Sequence, residues 1–155
     1  MKELDKMKEA NFIEPSISPF AAPMVCVRKG DGSLRVTIDF RMINKNVIAD
    51  AYPLHRIDDQ IDSMRGSAWF TTLDLTKGYH QMNLDTSSRE YTAFTTPLGL
   101  YQWKVLPMGM KTSGAVFQCL MDSVLEGLQP KIAIVYIDNI TIFSLTLEQY
   151  HEDVD

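Results

Sequence analysis

The chain has 155 residues, 45% hydrophobic and 23% charged, with a net charge of −5. This composition fits one globular domain or part of one and excludes a disordered or collagen-like chain. No run approaches the ~18 to 20 apolar residues of a membrane span, and the charged start MKELDKMKEANF lacks the apolar core of a signal peptide, so a cytosolic setting is expected.

The first dozen residues predict a short helix with Leu4, Met7 and Ala10 or Asn11 on one side, ended by Glu14-Pro15. An extended connection through Ser16 to Pro23 follows. Met24 to Arg28 and Leu34 to Phe40 predict two strands joined by Gly30-Asp31-Gly32-Ser33. In the second strand Leu34, Val36, Ile38 and Phe40 alternate with Arg35, Thr37 and Asp39. No GxxxxGK[ST] pattern is present, so this is a hairpin and not a Walker loop. From Met24 to Ile48 five basic residues stand against two acidic ones, a local +3 that leaves −8 on the remainder. Such a patch can meet phosphates, and a solvated hairpin explains it equally well.

Ile57, Ile61 and Met64 repeat at helical spacing, which makes Asp58, Asp59 and Asp62 a solvated helix face and not a metal cluster. Ala68 to Leu75 and His80 to Leu84 predict strands around Thr76-Lys77-Gly78-Tyr79. Glu90 to Thr96 and Tyr101 to Val105 predict another pair, linked by Pro97-Leu98-Gly99. A helix starts near Thr112, with Val116, Phe117, Leu120, Met121, Val124, Leu125 and Leu128 as a core stripe and Thr112 or Ser113 as N-cap. Ile132 to Ile137 and Ile140 to Phe143 then predict two apolar strands around a two-residue turn, Asp138-Asn139. Helices mixed with hairpins, without regular βαβ alternation, give an α+β fold. Cys26 and Cys119 lie far apart among apolar neighbours and read as buried, reduced thiols; the three histidines share no metal-ligand spacing with them.

Asp74 at a strand end and Asp138 at a hairpin tip are, taken singly, ordinary turn residues. Carboxylates projecting from rigid strands are also what a two-metal polymerase site requires. Read in order, EANFIEPSISPFAAPMVCVRKGDGSLRVTIDFRMINK, YPLHRIDD, FTTLDLTKGYHQMNLD, TAFTTPLGLYQWKVLPMGMKTSGAVFQCLM and VYIDNITIFS resemble the reverse transcriptase domain of gypsy-type long-terminal-repeat retrotransposons. The resemblance covers nearly the whole chain, and five motifs in order make it specific.

It implies an RNA-directed DNA polymerase, a nucleotidyltransferase with the fingers and palm of a right-hand polymerase, an antiparallel palm sheet packed on helices, and no thumb within the chain. Fingers would span roughly 1–65 and part of 85–110, and palm roughly 66–84 and 105–155. Asp74, Asp138 and the backbone carbonyl of Leu75 would ligate metal, two Mg²⁺ ions with Mn²⁺ as a substitute. Lys29 and Arg35 would contact the triphosphate of a deoxynucleotide. Tyr79 matches the aromatic steric gate that excludes a 2′-hydroxyl, where the residues alone give a Tyr in a turn or core. Gln118 lies in the helix bordering the nucleotide pocket, where the residues alone give an exposed helix position. Arg41 and Asn44 would lie near the template strand. The implied partners are an RNA or DNA template with its primer, deoxynucleoside triphosphates, and the thumb and RNase H regions of a longer polyprotein, with no membrane. The implied setting is the cytoplasm, in virus-like particles.

One position departs from the family. Its hairpin tip ordinarily reads Tyr-x-Asp-Asp, and this chain reads Tyr136-Ile137-Asp138-Asn139. An amide oxygen ligates a hard cation less strongly than a carboxylate does. Asn139 is therefore a degenerate third ligand, and an impaired polymerase is expected. The alternative is a decayed or domesticated copy that binds nucleotide or nucleic acid without catalysis.

Overall fold

The structure, a computed structural model, describes residues 2–28, 30, 32 and 34–154. Lys29 lies outside the described residues. Two compact units divide the chain, Met1–Ala49 with Tyr79–Ser113 and Asp50–Gly78 with Gly114–Asp155. Each carries its own sheet.

In the first unit, helix α1 (Lys2–Glu9) is shorter than the sequence predicts, because Asn11 takes a left-handed backbone, φ 59°, and turns the chain. Residues 13–15, read as the end of a helix, form strand β1 (Ile13–Pro15). The hairpin β2 (Ala22–Arg28) and β3 (Leu34–Ile38) forms with Met24 opposite Ile38 and Arg28 opposite Leu34. After the short helices α2 (Arg41–Asn44) and α4 (Thr86–Arg89) come β5 (Phe94–Thr96) and β6 (Gly99–Trp103). The sheet runs β1-β6-β5-β2-β3 and is antiparallel except where β2 meets β5. Pro15 sits on the edge strand, where its missing N–H costs no ladder bond. Leu4, Ile13, Ala22, Phe40, Phe94, Trp103 and Val105 form the core.

Two predicted strands are corrected here. His80 to Leu84 opens as a 3₁₀ turn, Gly78–Gln81, and contributes only an isolated bridge, Asn83 to Val105. Lys77, at φ 55°, has already turned the chain out of the extended state. Glu90–Thr92 is likewise a 3₁₀ turn, and the strand begins only at Phe94.

In the second unit, the chain enters as α3 (Ile57–Ser63) and then β4 (Trp69–Asp74). Helix α5 (Ser113–Val124) follows, then β7 (Ala133–Tyr136), β8 (Asn139–Ser144) and α6 (Leu147–Val154). The sheet order is β4-β8-β7, all antiparallel, which makes β8 the central strand. Asp58, Asp59 and Asp62 are exposed as expected, but so are Ile57 and Ile61, and α3 is tied to the sheet instead by Gln60, whose amide donates to the Val135 carbonyl at 2.8 Å. The α5 stripe is narrower than predicted: Phe117 and Met121 are buried, whereas Leu120, Val124 and Leu128 are exposed.

Both cysteines are exposed, contrary to the buried thiols expected from their apolar neighbours. Cys26 lies where β2 has run past its pairing with β5, which ends at Pro23. Cys119 occupies the outward side of α5, beside the inward pair Phe117 and Gln118.

Gly78 is a close-approach position. A Cβ there would meet Phe117 Cζ at 2.9 Å and Leu75 Cβ at 3.3 Å. Gly78→Ala is expected to destabilise the chain by about 1–3 kcal/mol through overpacking, read as a lowered midpoint in urea denaturation.

Candidate functional site

The local rule that builds the site is strand register. Asp74 is the last residue of β4 and stands directly opposite Asn139, the first residue of β8. Asn139 also closes the β7–β8 hairpin against Tyr136, so the two-residue loop is Ile137-Asp138. This corrects the turn predicted from the sequence, Asp138-Asn139, by one residue. The shift moves Asn139 off the tip and into the central strand, on the same face as Asp74, where directly opposed Cβ atoms lie about 4.5–5.5 Å apart. The Leu75 N–H donates to the Asp138 carbonyl at 3.0 Å, which continues the ladder past the strand end and binds the tip to β4. Asp74 and Asp138 are thus brought to one corner of the sheet.

Asn139 Nδ2 donates to Asp138 Oδ1 at 3.3 Å. In the site as built, the amide fills one acceptor position of the neighbouring carboxylate. Asp74 and Asn139 are exposed and Asp138 is half-buried. Leu75 lends its carbonyl to the Gly78 N–H at 3.1 Å and keeps a second lone pair. Among the described residues no group of three His, Cys, Asp or Glu side chains could hold a metal ion. Two carboxylates remain, and Mg²⁺ is ordinarily held by one or two carboxylates together with waters and substrate phosphates. The donor set fits a hard, oxygen-seeking dication.

The hairpin tip has an unusual backbone. Ile137 lies at φ 59°, where a β-branched residue is an outlier, while Asp138 keeps a negative φ, the sign pattern of a type II′ turn. Glycine normally fills the first position of that turn, and holding another residue there costs about 1–3 kcal/mol. Gln118 answers this cost. It is fully buried, contrary to the exposed helix position read from the residues alone, because α5 turns it inward with Phe117. Its Oε1 accepts from the Ile137 N–H at 2.7 Å, and its Nε2 donates to the Val135 carbonyl at 3.2 Å and to Asp122 Oδ1 at 3.0 Å.

Asp122 was not singled out in the sequence, although Gln118 and Asp122 form a polar i,i+4 pair inside an apolar stripe, a signal that could have found it. Its carboxylate also accepts from the Tyr52 hydroxyl at 2.7 Å and Gln129 Nε2 at 3.2 Å, and His55 Nε2 lies 3.0 Å away. Burial pushes this carboxyl up, but hydrogen bonds from Tyr52, His55, Gln118 and Gln129 together outweigh burial and hold it below its ordinary value. The same bond pushes the Tyr52 hydroxyl up to about 12. A depressed carboxyl stabilises the fold above its unfolded value and loses that contribution as pH falls through its folded value. Lowering the pH below about 4 is therefore expected to reduce the denaturation midpoint, with a shallower decline in Asp122→Asn.

The remaining candidates lie in the first unit. Arg35 is exposed on β3 and makes no ion pair among the described residues. Arg41 is paired with Asp39, Nη2 to Oδ2 at 2.7 Å, and hydrogen bonds from Arg41 hold the Asp39 carboxyl down to about 2. Asn44 clamps the loop after Pro107: its Nδ2 donates to the Gly109 carbonyl and its Oδ1 accepts from the Lys111 N–H, both at 2.8 Å. Tyr79 is half-buried in the 3₁₀ turn.

Residues 27–155 match the family model described as reverse transcriptase (RNA-dependent DNA polymerase). The chain is 36% identical over 146 residues to a retrovirus-related Pol polyprotein from transposon 412 of Drosophila melanogaster, covering 90% of this chain and 12% of that protein. It is 35% identical over 153 residues to an enzymatic polyprotein of cauliflower mosaic virus strain NY8153, covering 96% of this chain and 22% of the relative. The crystal structure of prototype foamy virus protease-reverse transcriptase has a similar fold, with a TM-score of 0.85 at 26% identity, over 97% of this chain and 20% of the other. The chain thus spans less than a quarter of the length of these relatives. With Asp74, Asp138 and Asn139 at one corner of an antiparallel sheet, a family match over residues 27–155 and relatives 35–36% identical over at least 90% of it, the chain belongs to the reverse transcriptase family.

Proposed function

We propose that this chain carries RNA-directed DNA synthesis, as the fingers and palm of a retrotransposon polyprotein of gypsy type, and that Asn139 weakens the activity. The observation that carries the reading is the convergence of Asp74 and Asp138, with the Leu75 peptide, at one sheet corner. Asp74, Asp138 and the Leu75 carbonyl would hold the metal. The chemistry that two Mg²⁺ ions would supply there is acidification of a primer hydroxyl and neutralisation of phosphate charge.

The chain's own residues do the rest. The locally basic stretch around the β2–β3 hairpin attracts phosphate, with Arg35 exposed to take part and Lys29 assigned there by resemblance. Tyr79 would exclude the 2′-hydroxyl of a ribonucleotide. Arg41 and Asn44 are assigned to the template side, where Asn44 would act through the Gly109 to Lys111 loop that it clamps. Fingers are assigned by resemblance to roughly 1–65 and part of 85–110, and palm to roughly 66–84 and 105–155. The chain does divide into two compact units, but their bounds differ, with 50–65 in the unit that carries Asp74 and Asp138 and 79–84 in the other. The template with its primer and the deoxynucleotides are the partners, and a longer polyprotein supplies further regions. No helix among the described residues is long and apolar enough to cross a membrane; a cytoplasmic setting in virus-like particles rests on the family.

Primer extension on an RNA template with deoxynucleotides and Mg²⁺, using the 155-residue chain and its Asn139→Asp variant, tests the reading. Template-directed incorporation by the variant supports it. A folded Asn139→Asp variant that incorporates nothing would overturn it in favour of a copy that binds without catalysis.

A further inference from the structure

We infer that Gln118 is a positioning residue for the hairpin tip, acting on catalysis through the backbone of Ile137 and not through contact with nucleotide. The inference rests on the proposed role of Asp138. Every polar atom of the Gln118 amide is engaged inside the second unit, and the side chain has 0% exposure. The surroundings fix the amide in one orientation. A carboxylate, Asp122, and a carbonyl, Val135, both require the nitrogen side, whereas the Ile137 N–H requires the oxygen side. A flipped amide would lose all three bonds.

The residue it holds is the one with the unfavourable backbone. Ile137 is the first loop residue, at φ 59°, and the next residue is Asp138. The tip is secured from both sides: Gln118 and Gln60 share the Val135 carbonyl, and the Leu75 N–H takes the Asp138 carbonyl. Only Gln118 reaches the Ile137 amide among the hydrogen bonds of the described residues. Removing it frees the residue whose conformation costs most and lets the Asp138 carboxylate leave the corner it shares with Asp74. Strained backbone of this kind persists where its surroundings over-determine it.

Two measurements test the assignment. The first is amide hydrogen exchange, which needs no polymerase activity. In the unsubstituted chain the Ile137 amide is expected to exchange more slowly than its loop neighbour Asp138. In Gln118→Met, a substitution of similar shape, it is expected to exchange at least about tenfold faster while the strand amides of β7 and β8 keep their protection. Equal rates for Ile137 and Asp138 in the unsubstituted chain would overturn the assignment, even if Gln118→Met fails to fold. An unchanged Ile137 rate in a folded Gln118→Met chain would do the same.

The second is a double-mutant cycle in the Asn139→Asp chain, combining Gln118→Met with Ile137→Gly. Glycine adopts the left-handed backbone without strain. Gln118→Met is expected to lower kcat for nucleotide addition about tenfold with nucleotide KM unchanged, and to lose most of that effect when residue 137 is glycine. A rise in KM that persists in the Ile137→Gly background would identify Gln118 as a nucleotide contact and sink the inference. Absence of primer extension in the Asn139→Asp parent would reject the polymerase reading, and the exchange comparison would still decide whether Gln118 holds the turn.

Discussion

Replacing Asn139 by aspartate is expected to raise the rate of nucleotide addition about 10³-fold, equivalent to ~4 kcal/mol of added transition-state stabilisation. Asn139 stands directly opposite Asp74 and donates its amide hydrogen to Asp138. The substitution adds a negative charge at the corner and turns a donor into an acceptor, so Asp138 regains the lone pair that the amide occupies. A second consequence follows from the same geometry. Without a dication, three carboxylates at one corner repel, so Asn139→Asp is expected to lower stability in chelator, and Mg²⁺ to restore it by mass action. Single-turnover extension at saturating deoxynucleotide, with both chains at equal concentration, reads the rate ratio. Comparable rates would show that the amide serves as a ligand and would end the proposal of an impaired site.

Removing Asp74 from the Asn139→Asp chain is expected to cost at least about 10³-fold in the same assay, because one of the three carboxylates at the corner disappears. Stability should barely change. Asp74 is exposed at a strand end, and its side chain makes no hydrogen bond or ion pair among the described residues; such surface positions usually shift stability by no more than about 0.5 kcal/mol. That contrast separates a chemical role from a structural one. Near-normal extension by Asn139→Asp/Asp74→Ala would place the chemistry elsewhere. Unfolding of that variant would mean that Asp74 belongs to the framework.

Much of this architecture was legible in the residues. The alternation in Leu34 to Phe40 marked a strand, and Trp69 to Asp74 is the strand predicted there to within a residue or two. Five motifs in order were enough to name the family, because each couples local pattern with fixed spacing. The misreadings share one cause. Periodicity shows that a residue is apolar on one face, but not whether anything covers that face, so Leu120, Val124 and both cysteines were placed inside and are exposed. His80 to Leu84 failed for a local reason, the left-handed Lys77, which apolar patterning does not register.

By itself the sequence determined the chemistry on offer: one aspartate at a strand end and one at a hairpin tip, an asparagine where the motif of the family it resembles ordinarily reads aspartate, and a locally basic stretch from Met24 to Ile48 in an acidic chain. Tertiary structure decided what those residues can do together. Register is a property of paired strands, and a one-residue choice moved the loop to Ile137-Asp138 and set Asn139 opposite Asp74. Burial decided the role of Gln118, because an amide on a helix becomes a clamp only when another segment brings backbone donors and acceptors within 2.7 to 3.2 Å. Those partners are 17 and 19 residues away in the chain, a distance that helical and strand periodicity do not span.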